Sequence, residues 1–286
     1  MSFPAGTRSV ALVHDAHDRP YLLHVPPDVT SELVPLVLEL HGRGISAELF
    51  DRLTGVRRLA NEAGFLVALP SALNEIWNDG RGIGGVQADD IGYLAAVIDD
   101  VAARAPVDPR RIYVIGMSNG ATMAGRLACE LPDRLAAIAQ VAGTAAAALV
   151  ERDIPGSPLP ILEIHGTADR YARYGGEPPR GLLTRSVLRH RGGPSVGVDA
   201  WAELWRSRNG LSGDPAVEAI PPDTTIRRWR GASPASDVVL YRVEGGGHTW
   251  PGTTFPLPSV LFGRTSTTFD ATRVCWDFLG AHARED

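Results

Sequence analysis

The chain has 286 residues, a formal net charge of −5, 44% hydrophobic and 21% charged residues. Such a composition fills a sizeable core and argues against intrinsic disorder. The acidic balance offers no electrostatic footprint for nucleic acid, so none is expected as a partner. No apolar run approaches the roughly 18 residues needed to cross a bilayer, so no membrane partner is expected. The N-terminus lacks a basic stretch followed by an apolar run, which makes a cytoplasmic protein the default and a secreted mature form the alternative. Cys129 and Cys275 each fall in an apolar helical pattern, where buried thiols are favoured over a disulfide.

In chain order, Val10–His14 and Tyr21–Val25 are apolar runs around a polar, turn-rich stretch and predict an opening β-hairpin. Residues 36–40 predict a buried strand that ends in the glycine loop His41-Gly42-Arg43-Gly44. Leu49, Leu53, Val56 and Ala60 recur at helical spacing, and Phe65–Leu69 is the next strand, stopped by Pro70. Residues 71–90 are irregular. Ile91, Leu94, Ala95, Ile98, Val101 and Ala102 mark one helix face, ending before Pro106. A strand over 111–115, a helix over 119–130 and strands over 136–141 and 161–165 follow. Strand and helix alternate, which requires crossover connections and a mostly parallel α/β sheet with helices on both faces. Residues 171–198 break the rhythm, with Arg173, Arg180, Arg185, Arg189 and Arg191 against Glu177, and read as a cover segment. A helix over 200–207, strands over 226–230 and 238–243, and a closing helix marked by Ala271, Val274, Cys275, Phe278 and Leu279 complete the chain. No linker divides it, so one catalytic domain over 1–286 is expected.

Gly116-Met117-Ser118-Asn119-Gly120 fits the pattern G-x-S-x-G. The pentapeptide alone is weak, but it follows a strand and opens a helix, the setting of an α/β-hydrolase nucleophile elbow. The glycines admit a turn too tight for side chains, and the strained serine lifts its hydroxyl clear of the sheet. A serine needs a base, and in this arrangement the chain order is serine, acid, histidine. His190, His248 and His282 lie beyond the first acid. His282 is near the chain end, and His190 lies among arginines that disfavour its protonated form. His248 sits on a glycine loop after a strand, able to reach across to Ser118. Asp169, after the strand over 161–165, is placed to hold the imidazole tautomer, ahead of Asp199 and Asp237.

Two donors must meet the tetrahedral oxyanion. The expected pair is the backbone N–H of Asn119 and that of Arg43, with glycines on either side letting the loop approach substrate. The His41 side chain is read as structural. No close ligand cluster of the H-x-x-x-H kind is present, so no metal is expected.

His41-Gly42-Arg43-Gly44, Trp77-Asn78-Asp79-Gly80-Arg81-Gly82, Asp89-Asp90, Gly116–Gly120, Gly166-Thr167-Ala168-Asp169 and Gly247-His248-Thr249-Trp250-Pro251-Gly252 together resemble the polyhydroxybutyrate depolymerase and feruloyl esterase family of α/β-hydrolases, in the same order. The resemblance spans residues 20–280. It implies the α/β-hydrolase fold, Ser118, Asp169 and His248 as triad, no cofactor, and a small-molecule or oligomeric ester as substrate. It also implies that Trp250 lines the acyl or alcohol pocket, with Trp77 as a second substrate contact, while Asp90 and residues 77–82 brace the site. Short-chain, phenolic-acid and hydroxyalkanoate oligomer esters are the expected substrates. A serine peptidase on the same fold and a non-catalytic binding protein are the alternatives.

Overall fold

The computed structural model describes residues 4–151, 157–177, 192–231, 233 and 236–285. Among them, ten strands form one sheet, and β2 (Val13–His14) and β3 (His17–Asp18) make a separate small hairpin. Along the sheet lie β1 (Gly6–Val10), β4 (Tyr21–Val25), β6 (Leu66–Pro70), β5 (Val34–Leu40), β7 (Val107–Met117), β8 (Ala137–Val141), β9 (Ile161–Gly166), β12 (Val238–Val243), β11 (Thr224–Trp229) and β10 (Ala216–Ile220). The six strands from β6 to β12 in this order are parallel, and β1, β4, β11 and β10 add antiparallel edges. The expected α/β-hydrolase architecture, mostly parallel, is therefore present.

Two apolar layers flank the sheet. On one side pack α3 (Asp90–Arg104), α4 (Asn119–Glu130) and α6 (Val198–Arg208), with Tyr93, Leu127, Trp201 and Trp205 buried. On the other pack α1 (Ala47–Thr54), α2 (Val56–Ala63) and α8 (Ala271–Leu279), with Phe50, Leu59 and Cys275 buried. Central β5 and the stretch Ile112–Ile115 of β7 are mostly apolar because both faces are covered there. Two short helices, α5 (Ala147–Val150) and α7 (Ser259–Phe262), lie in loops. No helix among the described residues is long and apolar enough to cross a membrane.

Two local expectations are corrected, and one strand is added. The first sheet strand is Gly6–Val10, paired with Tyr21–Val25, and the residues between them fold into the small hairpin. The helical run from Leu49 to Ala60 is two helices, because Gly55 takes φ 73° and ends α1 while opening α2. Strand β10 escapes the hydrophobic pattern because it is an exposed edge, paired only with β11. Of the expected cover segment, residues 178–191 lie outside the described residues, among them His190 and four of the five arginines. Its flanks run beside Arg81 and α5: the Gly193 N–H donates to the Arg81 carbonyl and the Ala147 N–H to the Pro194 carbonyl.

Candidate active site

Ser118 stands between β7 and α4 with φ 59° and ψ −118°, a left-handed backbone that a residue with a Cβ adopts only when its surroundings enforce it. The enforcement is visible. A Cβ on Gly116 would overlap the Gly120 carbonyl, and one on Gly120 would overlap the Leu40 carbonyl. The Ser118 N–H is anchored on the Val141 carbonyl at 2.9 Å. Strand, turn and helix are thus held together around the serine, which is only partly buried.

His248 reaches Ser118 from the loop after β12. Its Nε2 lies 2.9 Å from Ser118 Oγ, and its Nδ1 lies 2.7 Å from Asp169 Oδ2. The loop is held from behind, where the Gly247 N–H donates to the Arg264 carbonyl at 2.8 Å and the His248 N–H to the Phe262 carbonyl at 2.7 Å. Asp169 is buried in the turn after β9, and its Oδ1 accepts the Tyr171 and Ala172 N–H groups at 2.8 and 2.9 Å. Both carboxylate oxygens are therefore committed, and Oδ2 is left aimed at the imidazole. Three residues far apart in the chain form one hydrogen-bonded line, with a serine oxygen at its open end.

The loop His41–Gly44 lies against the serine: a Cβ on Gly42 would stand 3.7 Å from Ser118 Cβ. Asn119 is the first residue of α4, where backbone N–H groups have no intrahelical acceptor. The two residues expected to donate to an oxyanion thus flank Ser118. His41 is buried, and its Nε2 accepts the Ala72 N–H at 3.0 Å. Burial lowers its pKa, against the opposing hydrogen bond to the Gly42 carbonyl. It is a neutral strut for the loop. Burial also pulls the half-buried Arg43 guanidinium below its ordinary range, nearby Arg81 acting in the same direction and Asp79 against it.

The two tryptophans are corrected as substrate contacts. Trp250 is 1% exposed, meets Phe50 edge to face and donates to Thr272 Oγ1 at 3.0 Å, all inside the α1–α8 layer. Trp77 is fully buried, and its Nε1 donates to the His41 carbonyl at 2.9 Å. Apolar rings of that size are favourable in a core, with the single N–H satisfied. Residues 77–82 brace the site. Asn119 Nδ2 donates to Asp79 Oδ2 at 2.6 Å, Arg81 pairs with the same oxygen at 2.5 Å, and buried Asp90 accepts Arg19 and the Asn78 N–H, each at 2.6 Å.

Rings not singled out in the sequence flank the histidine instead. Tyr171 lies 5.2 Å from the His248 ring and 5.9 Å from Phe262. Both are partly exposed, and beyond Phe262 the helix α7 presents Val260 and Leu261 at 84% and 54% exposure. Sequence pattern does not single these out, because a turn and a Pro-rich loop carry no periodicity. The buried pair Glu163–His165 does leave a trace in the sequence, since two polar residues at spacing two in an otherwise apolar strand are a signal of mutual pairing.

The sheet order and the serine turn at the end of β7 define an α/β-hydrolase. Solved structures agree on the fold: an acetyl xylan esterase from Aspergillus awamori matches 96% of this chain and 99% of its own at TM-score 0.64 and 14% identity. A thermostable esterase matches 97% of this chain and 63% of its own at TM-score 0.60 and 17% identity. The family model described as esterase PHB depolymerase matches residues 19–156. "Putative esterase NocK" of Nocardia uniformis subsp. tsuyamanensis is 33% identical over 96% of this chain and 83% of its own length. The chain belongs to the polyhydroxybutyrate depolymerase and feruloyl esterase family and is a carboxylic-ester hydrolase. Feruloyl esterase B of Piromyces equi is 27% identical over 80% of this chain, and poly(3-hydroxyalkanoate) depolymerase C of Paucimonas lemoignei 24% over 80%. The chain spans 42% and 58% of those two relatives' lengths.

Proposed function

We propose that ester hydrolysis runs through an acyl-enzyme on Ser118, with His248 as general base and Asp169 as its orienting acid. The observation that carries this reading is the continuous line Ser118 Oγ–His248 Nε2–His248 Nδ1–Asp169 Oδ2, at 2.9 and 2.7 Å, ending on a serine with left-handed backbone. His248 Nε2 takes the serine proton as Oγ attacks the ester carbonyl. Asp169 fixes the Nδ1–H tautomer and stabilises the imidazolium that forms. The Arg43 and Asn119 N–H groups receive the tetrahedral oxyanion. The imidazolium then gives its proton to the departing alcohol, and a water repeats the sequence to release the acid.

The substrates are short-chain or aromatic-acyl esters and soluble hydroxyalkanoate oligomers. Tyr171 and Phe262 beside His248 support an aromatic or short acyl group lying against a flat wall. The relatives named feruloyl esterase and poly(3-hydroxyalkanoate) depolymerase support the same two classes. Exposed Val260 and Leu261 give this mouth an apolar rim, a feature that a polymer surface could also meet.

The test pairs Ser118→Ala and His248→Ala with an organophosphonate probe and an ester panel. Ser118→Ala loses both covalent labelling, read by intact mass, and nearly all turnover; strong labelling of the variant would refute the nucleophile. Turnover of methyl ferulate, hydroxybutyrate oligomers and p-nitrophenyl butyrate is compared with product release from a polyhydroxybutyrate film. Rapid film erosion with poor turnover of every soluble ester contradicts the substrate assignment.

A further inference from the structure

Behind Asp169 lies a second pair of acid and histidine. Glu163 and His165 project from the same face of β9, each 2% or less exposed. Glu163 Oε1 is 2.7 Å from His165 Nδ1, and His165 Nε2 is 2.7 Å from the Ala172 carbonyl oxygen. A carbonyl only accepts, so Nε2 carries a proton. A single proton is then shared between Nδ1 and the Glu163 carboxyl. Burial raises the Glu163 carboxyl above the usual carboxylate range, against the His165 hydrogen bond, and the Glu163 partner raises His165 in spite of the burial that opposes its charge. The pair holds its proton.

The residue that His165 grips also touches the triad. The Ala172 N–H donates to Asp169 Oδ1 at 2.9 Å, while the Ala172 carbonyl receives His165 Nε2. The same Nε2 stands 3.8 Å from Asp169 Oδ2, the oxygen that faces His248. The turn carrying Asp169 is therefore tied to its own strand by one imidazole, and that imidazole is fixed by one carboxyl. Burying two ionisable groups is costly unless they serve each other, and an apolar pair at these two positions would fill the same layer.

We propose, on the basis of the triad reading above, that Glu163 and His165 are positioning residues that hold Asp169 against His248. Neither touches substrate. Glu163 sets the His165 tautomer, His165 pins the Ala172 carbonyl, and the pinned turn delivers Asp169 Oδ2 to the imidazole. Polar groups that the neighbouring elements bring close to the pair have partners of their own. From β8, uncharged Gln140 lies in register with Glu163 and binds Trp201 Nε1. From β12, Arg242 lies in register with His165 and is occupied over the Tyr174 ring and with Glu244. From α6, Asp199 accepts the Tyr174 hydroxyl. Arg173, in the turn itself, pairs with Glu177.

The experiment compares Glu163→Leu, His165→Phe and Glu163→Gln with the wild type on p-nitrophenyl butyrate across pH, together with phosphonate labelling rates. The two apolar variants are expected to lose kcat on the order of 10–100-fold with KM changed less than about threefold, since a small misplacement of a catalytic group acts on the chemical step. Their acid limb of kcat/KM moves to lower pH, because a loosened Asp169 stabilises the imidazolium less. Glu163→Gln, whose amide N–H still serves Nδ1, restores most of kcat. Glu39→Gln, which alters a buried carboxyl bonded to Thr54 on the opposite face of the sheet, is the control and lowers stability without moving the acid limb. Wild-type kcat and acid limb in the apolar variants overturn the proposal, as does equal loss in Glu163→Leu and Glu163→Gln. Should the apolar variants not fold, Glu163→Asp carries the test: an intermediate loss and limb shift support the proposal, and wild-type behaviour overturns it. Failure of the triad reading is distinguishable, because the wild type would then escape labelling at Ser118. Wild-type labelling matched at equal rate by the variants sinks the positioning role alone.

Discussion

The side chain of Asn119 and the backbone of Trp77 form a closed pair of hydrogen bonds: the Trp77 N–H donates to Asn119 Oδ1 at 2.8 Å, and Asn119 Nδ2 donates to the Trp77 carbonyl at 3.1 Å. The residue that follows Ser118 thus fastens the 77–82 loop to the start of α4. Its Nδ2 also serves Asp79 Oδ2, so one buried amide satisfies three groups.

Asn119→Ala keeps the backbone N–H proposed for the oxyanion but strands the Trp77 N–H and part of Asp79. Leaving buried polar groups unpaired costs about 1–3 kcal/mol. The urea midpoint is expected to fall accordingly, while phosphonate labelling of Ser118 persists. An unchanged midpoint would show that the loop is held by other contacts.

Glycines around the serine should differ sharply in tolerance. A Cβ at Gly120 would overlap the Leu40 carbonyl, a backbone atom of a central strand that cannot swing away. Gly120→Ala is therefore expected to abolish folded expression or lower the melting temperature severely. At Gly42 the nearest atoms to an added Cβ lie 3.6–3.8 Å away, an ordinary contact. Gly42→Ala should fold, and its methyl beside Ser118 should appear as a kinetic defect. Equal melting temperatures for the two variants would contradict the packing argument.

Asp223 makes stability depend on acid. Burial alone would raise its carboxyl, but hydrogen bonds from Thr268, Arg264, Thr224 and Ser266 outweigh this and hold it at about 2, against an ordinary 3.8. The folded value is the lower, so the stabilisation is complete above the unfolded value and is lost as pH falls from about 4 through 2. Its size is on the order of 1–2 kcal/mol. The bonds tie the turn before β11 to residues 264–268, and the Arg264 carbonyl in turn holds the Gly247 N–H of the histidine loop. In urea, the midpoint of Asp223→Asn should lie below that of the wild type at pH 7, and the gap should close as pH falls from about 4 to 2. Parallel pH curves for variant and wild type would remove the assignment.

Both cysteines are free and buried. Burial pushes the Cys129 thiol up to about 12 and moves Cys275 in the same direction. Neither supplies thiolate at neutral pH, so the native protein should not react with a disulfide reagent, and two thiols should appear on denaturation. Rapid reaction of one thiol in the native state would mean that its helix opens locally.

The alternation of apolar runs with helical spacings determined the α/β sheet, because crossover connections leave few topologies open to such an order. Ser118 was legible for the same reason: strand, glycine, serine, glycine and helix are contiguous, and the strain is local to five residues. Asp169 and His248 were legible as loop residues placed after strands, since a parallel sheet delivers all its strand ends to one edge. Sequence could not decide what stands beside them. Trp250 and Trp77 are near the site in the chain, yet their side chains turn into the core, because large rings are buried wherever a layer has room for them. Tyr171 and Phe262 face His248 from loops whose courses depend on packing rather than on period. The break at Gly55 and the exposed strand β10 likewise follow from tertiary surroundings, the first from a left-handed cap and the second from pairing with β11 alone. Contacts such as that of His165 with the turn bearing Asp169 arise only when a strand and its following loop fold back on each other. Their hydrogen bonds depend on distances that no linear pattern encodes.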